Sequence, residues 1–225
     1  MAAPPPSAVS AKSKSAGQPK YDEHSSNPTA EQLLAATAAL LSESKDLDVS
    51  LADIAARSGL NAALIKYYFG NKEGLLMRLL ERDAAVVMTG LRQLLTTRAS
   101  AAQKLRWHIR GIINSYYKMP YLNRLIHHMM HQASTDNAER VQQIFITPMI
   151  AAYRQMLAQG AAEHSLKPMD PVLLYYGLVG ACEHIFYAGA TRAVLLGEAQ
   201  VSAETKEAYI TLVEDMCLNG LAERR

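Results

Sequence analysis

Residues 49–76, VSLADIAARSGLNAALIKYYFGNKEGLL, decide the fold of this chain. Ser50 and Asp53 have the spacing of a capping box, which predicts that a helix starts here. Gly59 can take the positive φ that lets the chain turn sharply, and Asn61 can cap a second helix directly afterwards. Two short helices joined by a tight turn are the layout of a DNA-binding helix-turn-helix.

Two motifs in this stretch, DIAARSGL at 53–60 and YYFGNKEGLL at 67–76, resemble the tetracycline-repressor (TetR) family of bacterial regulators. The resemblance covers residues 29 to about 82. It implies an all-α homodimer, in which a long helix joins an N-terminal three-helix helix-turn-helix domain to a C-terminal helical bundle for ligand binding and dimerisation. Lys66 stands where the family usually has Tyr, and Leu64 where Thr or Ser is frequent, so the usual contacts are not carried over at these positions.

The second helix of the motif supplies most of the predicted DNA contacts. The major groove admits one helix, whose first turn approaches the base edges. Asn61 and Lys66 can donate hydrogen bonds to bases or phosphates, whereas Ala62 offers only a methyl contact. The resemblance places Tyr67 and Lys72 where the family holds the DNA backbone. With a phosphate contact from the start of the preceding helix, the predicted set is Ser50, Asn61, Ala62, Lys66, Tyr67 and Lys72.

The overall charge of the chain does not by itself indicate DNA binding. The formal net charge is +2 and the pI is near 8.5, so attraction to phosphate has to come from a local surface. Lys66, Lys72 and Arg78 gather just beyond the turn and place that surface at the second helix. Tyr68 and Phe69 are expected to pack in the core, because a small three-helix head needs aromatic burial.

The composition also limits the location and class of the protein. Cys182 and Cys217 lack CxxC spacing, which fits reduced thiols in the cytosol. The sequence contains neither a run of eighteen apolar residues nor an apolar leader, so we expect a cytoplasmic protein that does not contact a membrane. It contains no glycine-rich phosphate loop, nucleophile elbow or metal-protease motif. We therefore expect neither an enzyme nor a bound cofactor.

The chain divides into a tail, a head and a body. Residues 1–27 are rich in Ala, Pro, Ser and Lys, and are predicted to be a disordered tail. Its lysines could reach a DNA minor groove, but nearby acidic residues favour a solvated leader instead. Residues 28–75 are predicted to form the DNA-binding head, whose first helix has a capping-box spacing between Thr29 and Gln32. Residues 76–225 are predicted to form the ligand-binding and dimerisation body.

Breaker residues delimit the predicted helices of the body. A long helix from Asn71 to about residue 97 is expected to link head and body. Further helices are predicted near 101–118, 121–133, 137–163, 170–195 and 202–222. Pro148 lies inside one of them and predicts a kink or a restart there. The pair Asp170 and Pro171 predicts a clean helix start.

The body could hold a small-molecule effector among its aromatic and methionine side chains. For each of these residues, ordinary core packing is at least as good an interpretation as ligand contact. Glu183 and His184 interrupt an apolar helix, so they are expected to face a pocket or to pair across a dimer, with plain solvent exposure as the third interpretation. The candidate ligand contacts are Trp107, Tyr116, Met129, Met130, Tyr153 and Glu183.

Three histidines of the body, His127, His128 and His131, raise the question of a metal site. His127 and His131 have ligand spacing, but a third ligand is missing nearby, so no metal site is predicted. The preferred function is a one-component repressor that an effector releases from a palindromic operator. A metal-responsive or ligand-independent regulator of the same fold is the alternative. A helical enzyme or interaction module would belong to a different class.

Overall fold

The computed structural model describes residues 27–44 and 46–221, and in that part of the chain the backbone forms α-helices, one π-helical turn and no strand. The expected all-α fold is confirmed. The predicted disordered tail and its lysines lie outside the described residues, except for Asn27. The helices are α1 (Pro28–Glu43), α2 (Leu51–Ser58), α3 (Ala63–Phe69), α4 (Lys72–Thr96), α5 (Ala101–Lys118), α6 (Leu122–His131), α7 (Thr135–Val141), α8 (Thr147–Ala162), α9 (Pro171–Tyr187), α10 (Gly189–Leu196) and α11 (Ala203–Leu221), and the π-helical turn Gln142–Ile146 joins α7 to α8.

Helix α1 starts at a different cap from the one that the sequence predicts. Asn27 Oδ1 accepts a hydrogen bond from Thr29 N at 2.9 Å, and Pro28 occupies the first helical position, where a missing N–H costs nothing. The prediction of a capping box between Thr29 and Gln32 is therefore wrong. Gln32 Nε2 instead donates to Ser58 O at 2.7 Å and ties α1 to the end of α2.

The head closes around one small apolar core. Leu33 of α1, Ile54 of α2, Ile65 of α3 and Leu75 of α4 are all fully buried, and Phe69 is nearly so. These side chains come from all four helices, so burying them fixes α2 and α3 against α1 and the start of α4.

Helix α4 connects the head to the body. Its 25 residues span about 37 Å at 1.5 Å per residue. Asn71 Oδ1 accepts from Gly74 N at 2.7 Å, which confirms the predicted start of this helix. Further along, Leu80, Met88 and Leu91 are buried in the core that α4 shares with the helices of the body.

The predicted restart at Pro148 is confirmed. The helix expected over 137–163 consists of α7, the π-helical turn and α8, with Pro148 in the first turn of α8. Proline has no N–H to donate to a carbonyl of the preceding turn, and the wider π-helical turn accommodates the missing hydrogen bond. Phe145 in the π turn and Met149 just after it both remain buried.

The single helix predicted over 170–195 is wrong, because α9 and α10 separate at Ala188. Ala188 leaves helical geometry at φ −78° and ψ 47°. The buried Arg192 stabilises this bend, since its guanidinium donates to Ile185 O at the end of α9 and, at 2.8 Å, to Ala199 O beyond α10. The predicted start of α9 is confirmed, with Asp170 Oδ1 accepting from two backbone amides.

Within the described residues, no helix is both long and apolar enough to cross a membrane.

Candidate DNA-binding surface and effector site

The turn between α2 and α3 has the geometry that the sequence predicts. Asp53 N donates to Ser50 Oγ at 3.0 Å and Ser50 N donates to Asp53 Oδ2 at 3.2 Å, so the capping box is confirmed. Gly59 lies in the left-handed region at φ 67°. Asn61 Oδ1 accepts from Ala63 N at 2.8 Å and satisfies one of the open amides at the start of α3.

Helix α3 turns one side to the head core and the other to solvent. Ile65 and Phe69 are buried, and Tyr68 packs half-buried against them. Lys66 is exposed and Tyr67 is 60% exposed. The expected inward packing of Tyr68 and Phe69 is confirmed.

Four of the predicted DNA contacts are accessible together on this outer side. Asn61, Lys66 and Tyr67 are exposed and Ala62 is half-exposed. We call these four residues the reading surface. It carries one amide, one ammonium and one phenol as polar groups, which is a small set for base recognition.

Two of the predicted phosphate contacts, Ser50 and Lys72, already have partners in the free protein. Ser50 Oγ donates to Asp53 Oδ2 at 2.6 Å, and this hydrogen bond lowers the pKa of Asp53. A phosphate would therefore compete with the helix cap for the Ser50 hydroxyl. Lys72 Nζ lies 3.5 Å from Asp48 Oδ1, and the Asp48 side chain is 94% exposed. Such surface pairs are weak, so Lys72 can exchange Asp48 for a phosphate.

Arg124 joins the body to the head, a role that the sequence analysis missed. Its guanidinium, on α6, donates to Leu41 O at 2.8 Å and to Ser44 O at 2.9 Å. These carbonyls belong to the last turn of α1 and to its C-cap residue. The last carbonyls of a helix have no N–H partner within the helix, and the helix dipole favours a positive charge at this end. The sequence feature that could have indicated this contact is the single arginine of the amphipathic helix α6.

Two carboxylates of α4 make further connections to the body. Glu73 Oε1 accepts from Ser134 N at 2.9 Å and from Asn137 Nδ2 at 2.6 Å, and the backbone hydrogen bond is the main cause that lowers the pKa of Glu73. The buried Asp83 Oδ2 accepts from Tyr121 Oη at 2.6 Å. The start of α6 and the α6–α7 connection are thus both held to α4.

The predicted effector residues do not all lie together. Tyr116, Met129 and Tyr153 are buried and Met130 is half-buried. Trp107 is 44% exposed on α5 and lies outside this buried set. Trp107 therefore lacks the buried environment of Tyr116, Met129 and Tyr153.

A buried hydrogen bond that the sequence analysis missed lies beside these residues. His108 Nε2 and Tyr153 Oη are 3.0 Å apart. Burial lowers the pKa of His108 to about 4, so this imidazole is neutral at neutral pH, and burial raises the pKa of Tyr153. The pair places a buried hydrogen bond between α5 and α8.

Glu183 is half-buried and lies against α6. Its Oε1 lies 3.7 Å from His127 Nε2. Burial raises the pKa of Glu183, and His127 and Asn123 oppose this shift. His184, its neighbour in sequence, is exposed instead. The two polar residues of α9 therefore point to different sides of the helix.

His127 also stacks on His131, with ring centroids 6.0 Å apart. Within the described ranges, no group of three or more His, Cys, Asp or Glu residues is placed to hold a metal ion.

Comparison with known sequences assigns the family. The model of bacterial regulatory proteins of the tetR family matches residues 33–79, and the model of the tetracyclin repressor-like C-terminal domain matches residues 98–224. The chain belongs to the TetR family. Its reading surface lies within the first TetR match, and all six candidate effector residues lie within the second.

A curated TetR-type relative covers part of the chain. The HTH-type transcriptional regulator BetI 1 of Chromohalobacter salexigens is 32% identical over 98 residues, which are 42% of this chain and 46% of that protein. The chain thus matches about half the length of this relative.

Solved TetR-type structures share the fold over nearly the whole chain. The fatty acid degradation regulator FadR from Bacillus halodurans has a TM-score of 0.70 at 16% identity, covering 89% of this chain and 100% of that chain. FadR from Bacillus subtilis, solved in complex with stearoyl-CoA, has a TM-score of 0.67 at 17% identity, covering 84% and 98%. A TetR/AcrR regulator from Thermobifida fusca has a TM-score of 0.67 at 19% identity, covering 88% and 100%. At these identities the likeness is one of fold.

Proposed function

We propose that this TetR-family chain is a homodimeric transcriptional repressor in the cytoplasm, which a small-molecule effector releases from a palindromic operator. The observation that carries the proposal is the reading surface. Lys66 and Tyr67 are exposed beside Asn61 on a helix whose opposite side is buried, at a turn set by Gly59. A helix held in this way can enter the major groove.

Within the proposal, the residues of the head have separate tasks. Lys66 and Asn61 read base edges, and Tyr67 and Lys72 bind phosphates. Ser50 acts chiefly through the cap that positions α2, because its hydroxyl is engaged by Asp53. One head offers few base-reading donors, so two heads on half-sites about 34 Å apart supply the specificity.

The homodimer is supported by an apolar outer face on the last helices. Leu173, Tyr176 and Tyr187 of α9 are mostly exposed, as are Leu212 and Met216 of α11. An exposed apolar face of this kind marks an interaction site, and an isologous dimer covers it on both copies at once. Gly177 and Gly180 of α9 have open space in front of them and would allow a close helix approach.

For the effector, the proposal uses the buried residues between α5, α6, α8 and α9. Tyr116, Met129 and Tyr153 offer apolar contact area, and Glu183 offers a polar anchor. A ligand with an apolar part and a polar group fits this combination. Stearoyl-CoA, which the Bacillus subtilis FadR structure contains, is therefore a first compound to test.

Helix α6 connects the effector region to the head in this proposal. His127 of α6 contacts Glu183, and Arg124, three residues earlier, holds the last turn of α1. A ligand that moves α6 would move α1 and change the spacing of the two heads. The ligand shifts this equilibrium only by its difference in affinity for the two arrangements.

The proposal is tested by measuring DNA binding with fluorescence anisotropy. The duplexes are the promoter region next to the protein's own gene and random DNA of the same length. The wild type should bind the promoter more tightly, and Lys66→Ala/Tyr67→Ala should lose this preference, while Lys118→Ala on α5 leaves it unchanged. Failure of the wild type to bind any duplex at low ionic strength would overturn the proposal. A requirement for added zinc would instead support the metal-responsive alternative.

A further inference from the structure

Glu183 is a carboxylate of α9 that lies among aromatic rings. Its side chain is 22% exposed, on a helix that is otherwise almost entirely apolar. Phe186, three residues later, lies on the same side of this helix, and its ring is 6.0 Å from the ring of Tyr116 on α5. Burial and, to a smaller extent, the Glu183 charge raise the pKa of Tyr116 and of Tyr175, so both phenols are within electrostatic reach of the carboxylate. We call Glu183, Phe186, Tyr116 and Tyr175 the acid–aromatic cluster.

The protein groups that stabilise the Glu183 charge are weak partners for it. Burial raises the pKa of Glu183, and the groups that oppose this shift are the imidazoles of His127 and His184 and the amide of Asn123. An imidazole carries a positive charge only when it is protonated, and an amide carries none. A carboxylate that has lost part of its hydration is stabilised most by a full positive charge close to it. A permanent cation at this place would therefore stabilise the ionised Glu183 more than the present partners do.

We propose that the effector of this protein carries an organic ammonium group, which binds at Glu183 with its carbon substituents against the rings of the acid–aromatic cluster. The inference rests on the proposed function, in which Glu183 is the polar anchor of the effector, and it specifies the chemistry of the group that is anchored. An ammonium ion is attracted to the negative face of an aromatic ring as well as to a carboxylate. Both kinds of side chain in the cluster therefore favour the same ligand.

The charge of Glu183 disfavours the opposite class of ligand at the same place. A carboxylate or phosphate group there would meet a like charge in a partly dehydrated environment, where repulsion is stronger than in water. An alcohol would be tolerated, but it would bring neither the charge that Glu183 lacks nor the attraction to the rings. Stearoyl-CoA would have to keep its phosphates away from Glu183, so this compound provides the anionic comparison.

The carboxylate is reached from solvent beside His127. The His127 side chain is 55% exposed, and its ring stacks on that of His131, which is also exposed. A cation bound at Glu183 would replace the contact between Glu183 and His127. Helix α6, which also carries Arg124, would then lose one of its contacts with α9. Binding of the cation is thereby connected to the contact between α6 and the head.

The test measures binding to the full chain by isothermal titration calorimetry. The ligands are hexyltrimethylammonium, hexan-1-ol and hexanoate, which have similar alkyl chains and differ in charge, together with stearoyl-CoA. The wild type should bind hexyltrimethylammonium at least about tenfold more tightly than hexan-1-ol. Glu183→Gln should lose this preference, whereas the matched control Glu139→Gln, at an exposed position of α7, should change the affinity by less than about twofold.

A second pair of variants tests the aromatic part of the cluster. Phe186→Leu keeps an apolar side chain but removes the ring, so it should weaken the binding of hexyltrimethylammonium by about two- to fivefold and leave that of hexan-1-ol nearly unchanged. Phe186→Tyr keeps the ring and should bind both ligands like the wild type. Circular dichroism melting curves identify any variant that fails to fold, and Phe186→Tyr shows whether the site tolerates substitution.

The outcomes separate this inference from the proposed function. Equal affinity of the wild type for the cation and the alcohol overturns the inference, and so does a preference for the cation that Glu183→Gln retains. The anisotropy assay described above is then repeated with each ligand. Release of the duplex by stearoyl-CoA or hexanoate, but not by hexyltrimethylammonium, retains the repressor and overturns the cationic effector. A chain that binds the cation through Glu183 and binds no duplex overturns the repressor and retains the cation site.

Discussion

The contact between Lys72 and Asp48 yields a prediction whose size follows from the structure. At 3.5 Å in water, two unit charges interact by about 1.2 kcal/mol, and exposed pairs typically contribute about 0.2–1 kcal/mol. Because Asp48 is almost fully exposed, the lower range applies. A phosphate that recruits Lys72 has to overcome this attraction. Asp48→Asn should therefore tighten binding to every duplex by about 1.4- to threefold.

A double-mutant cycle isolates the effect of the pair. Binding is measured by fluorescence anisotropy on promoter and random DNA over a range of salt concentrations, with Asp215→Asn as a distant exposed control. Lys72→Gln should weaken both complexes equally and reduce the slope of log affinity against log salt by about 0.9. In the Lys72→Gln background, Asp48→Asn should gain clearly less than in the wild type. Equal gains in the two backgrounds would show that Asp48 acts on DNA independently of Lys72, and would refute the reasoning.

Three further predictions concern the head, the head–body contact and the interior. Lys66→Ala should change which base pairs are preferred in a selection from random duplexes, whereas Lys118→Ala should not; identical selected sequences for all three proteins would contradict the base-reading role. Arg124→Met removes two charge-assisted hydrogen bonds and should lower the local stability of the last turn of α1 by about 2–4 kcal/mol, measured by amide hydrogen exchange, and unchanged protection would contradict this. Because the pKa of His108 is about 4 when folded, the unfolded state binds more protons as pH falls from about 6.5 to 4, so the free energy of unfolding should drop by about 3 kcal/mol across that window. In urea titrations between pH 6.5 and 5, above the range in which the carboxylates of lowered pKa contribute, His108→Gln should remove the loss and His131→Gln should retain it; a loss that persists there without His108 would refute the assignment.

The head could be predicted from sequence because its signals are local. The Ser50 cap, the turn at Gly59 and the cap at Asn71 each depend on neighbours within a few residues, and all three have the expected geometry. The start of α1 was the exception. Asn27 and Thr29 both suit a helix cap, and only the structure shows that Asn27 takes this position.

The body was harder to predict because its decisive contacts join distant residues. The break at Ala188 depends on Arg192 reaching two carbonyls of separate segments, and no periodicity reveals such a contact. Arg124 and its carbonyl partners on α1 are likewise about eighty residues apart. The effector residues could be proposed only by type. Burial distinguishes Tyr153 from Trp107, and this depends on how α5 rotates within the bundle.

The polar character of the head–body junction affects how measurements on this protein should be interpreted. Arg124 and Glu73 connect the two parts through hydrogen bonds of charged groups near the surface, which dissolved ions can weaken. Raising the ionic strength would then loosen the junction as well as displace the duplex. A count of phosphates taken from a salt titration would include these internal contacts and exceed the number of phosphates that the protein touches. Repeating the titration with Arg124→Met would separate the two contributions.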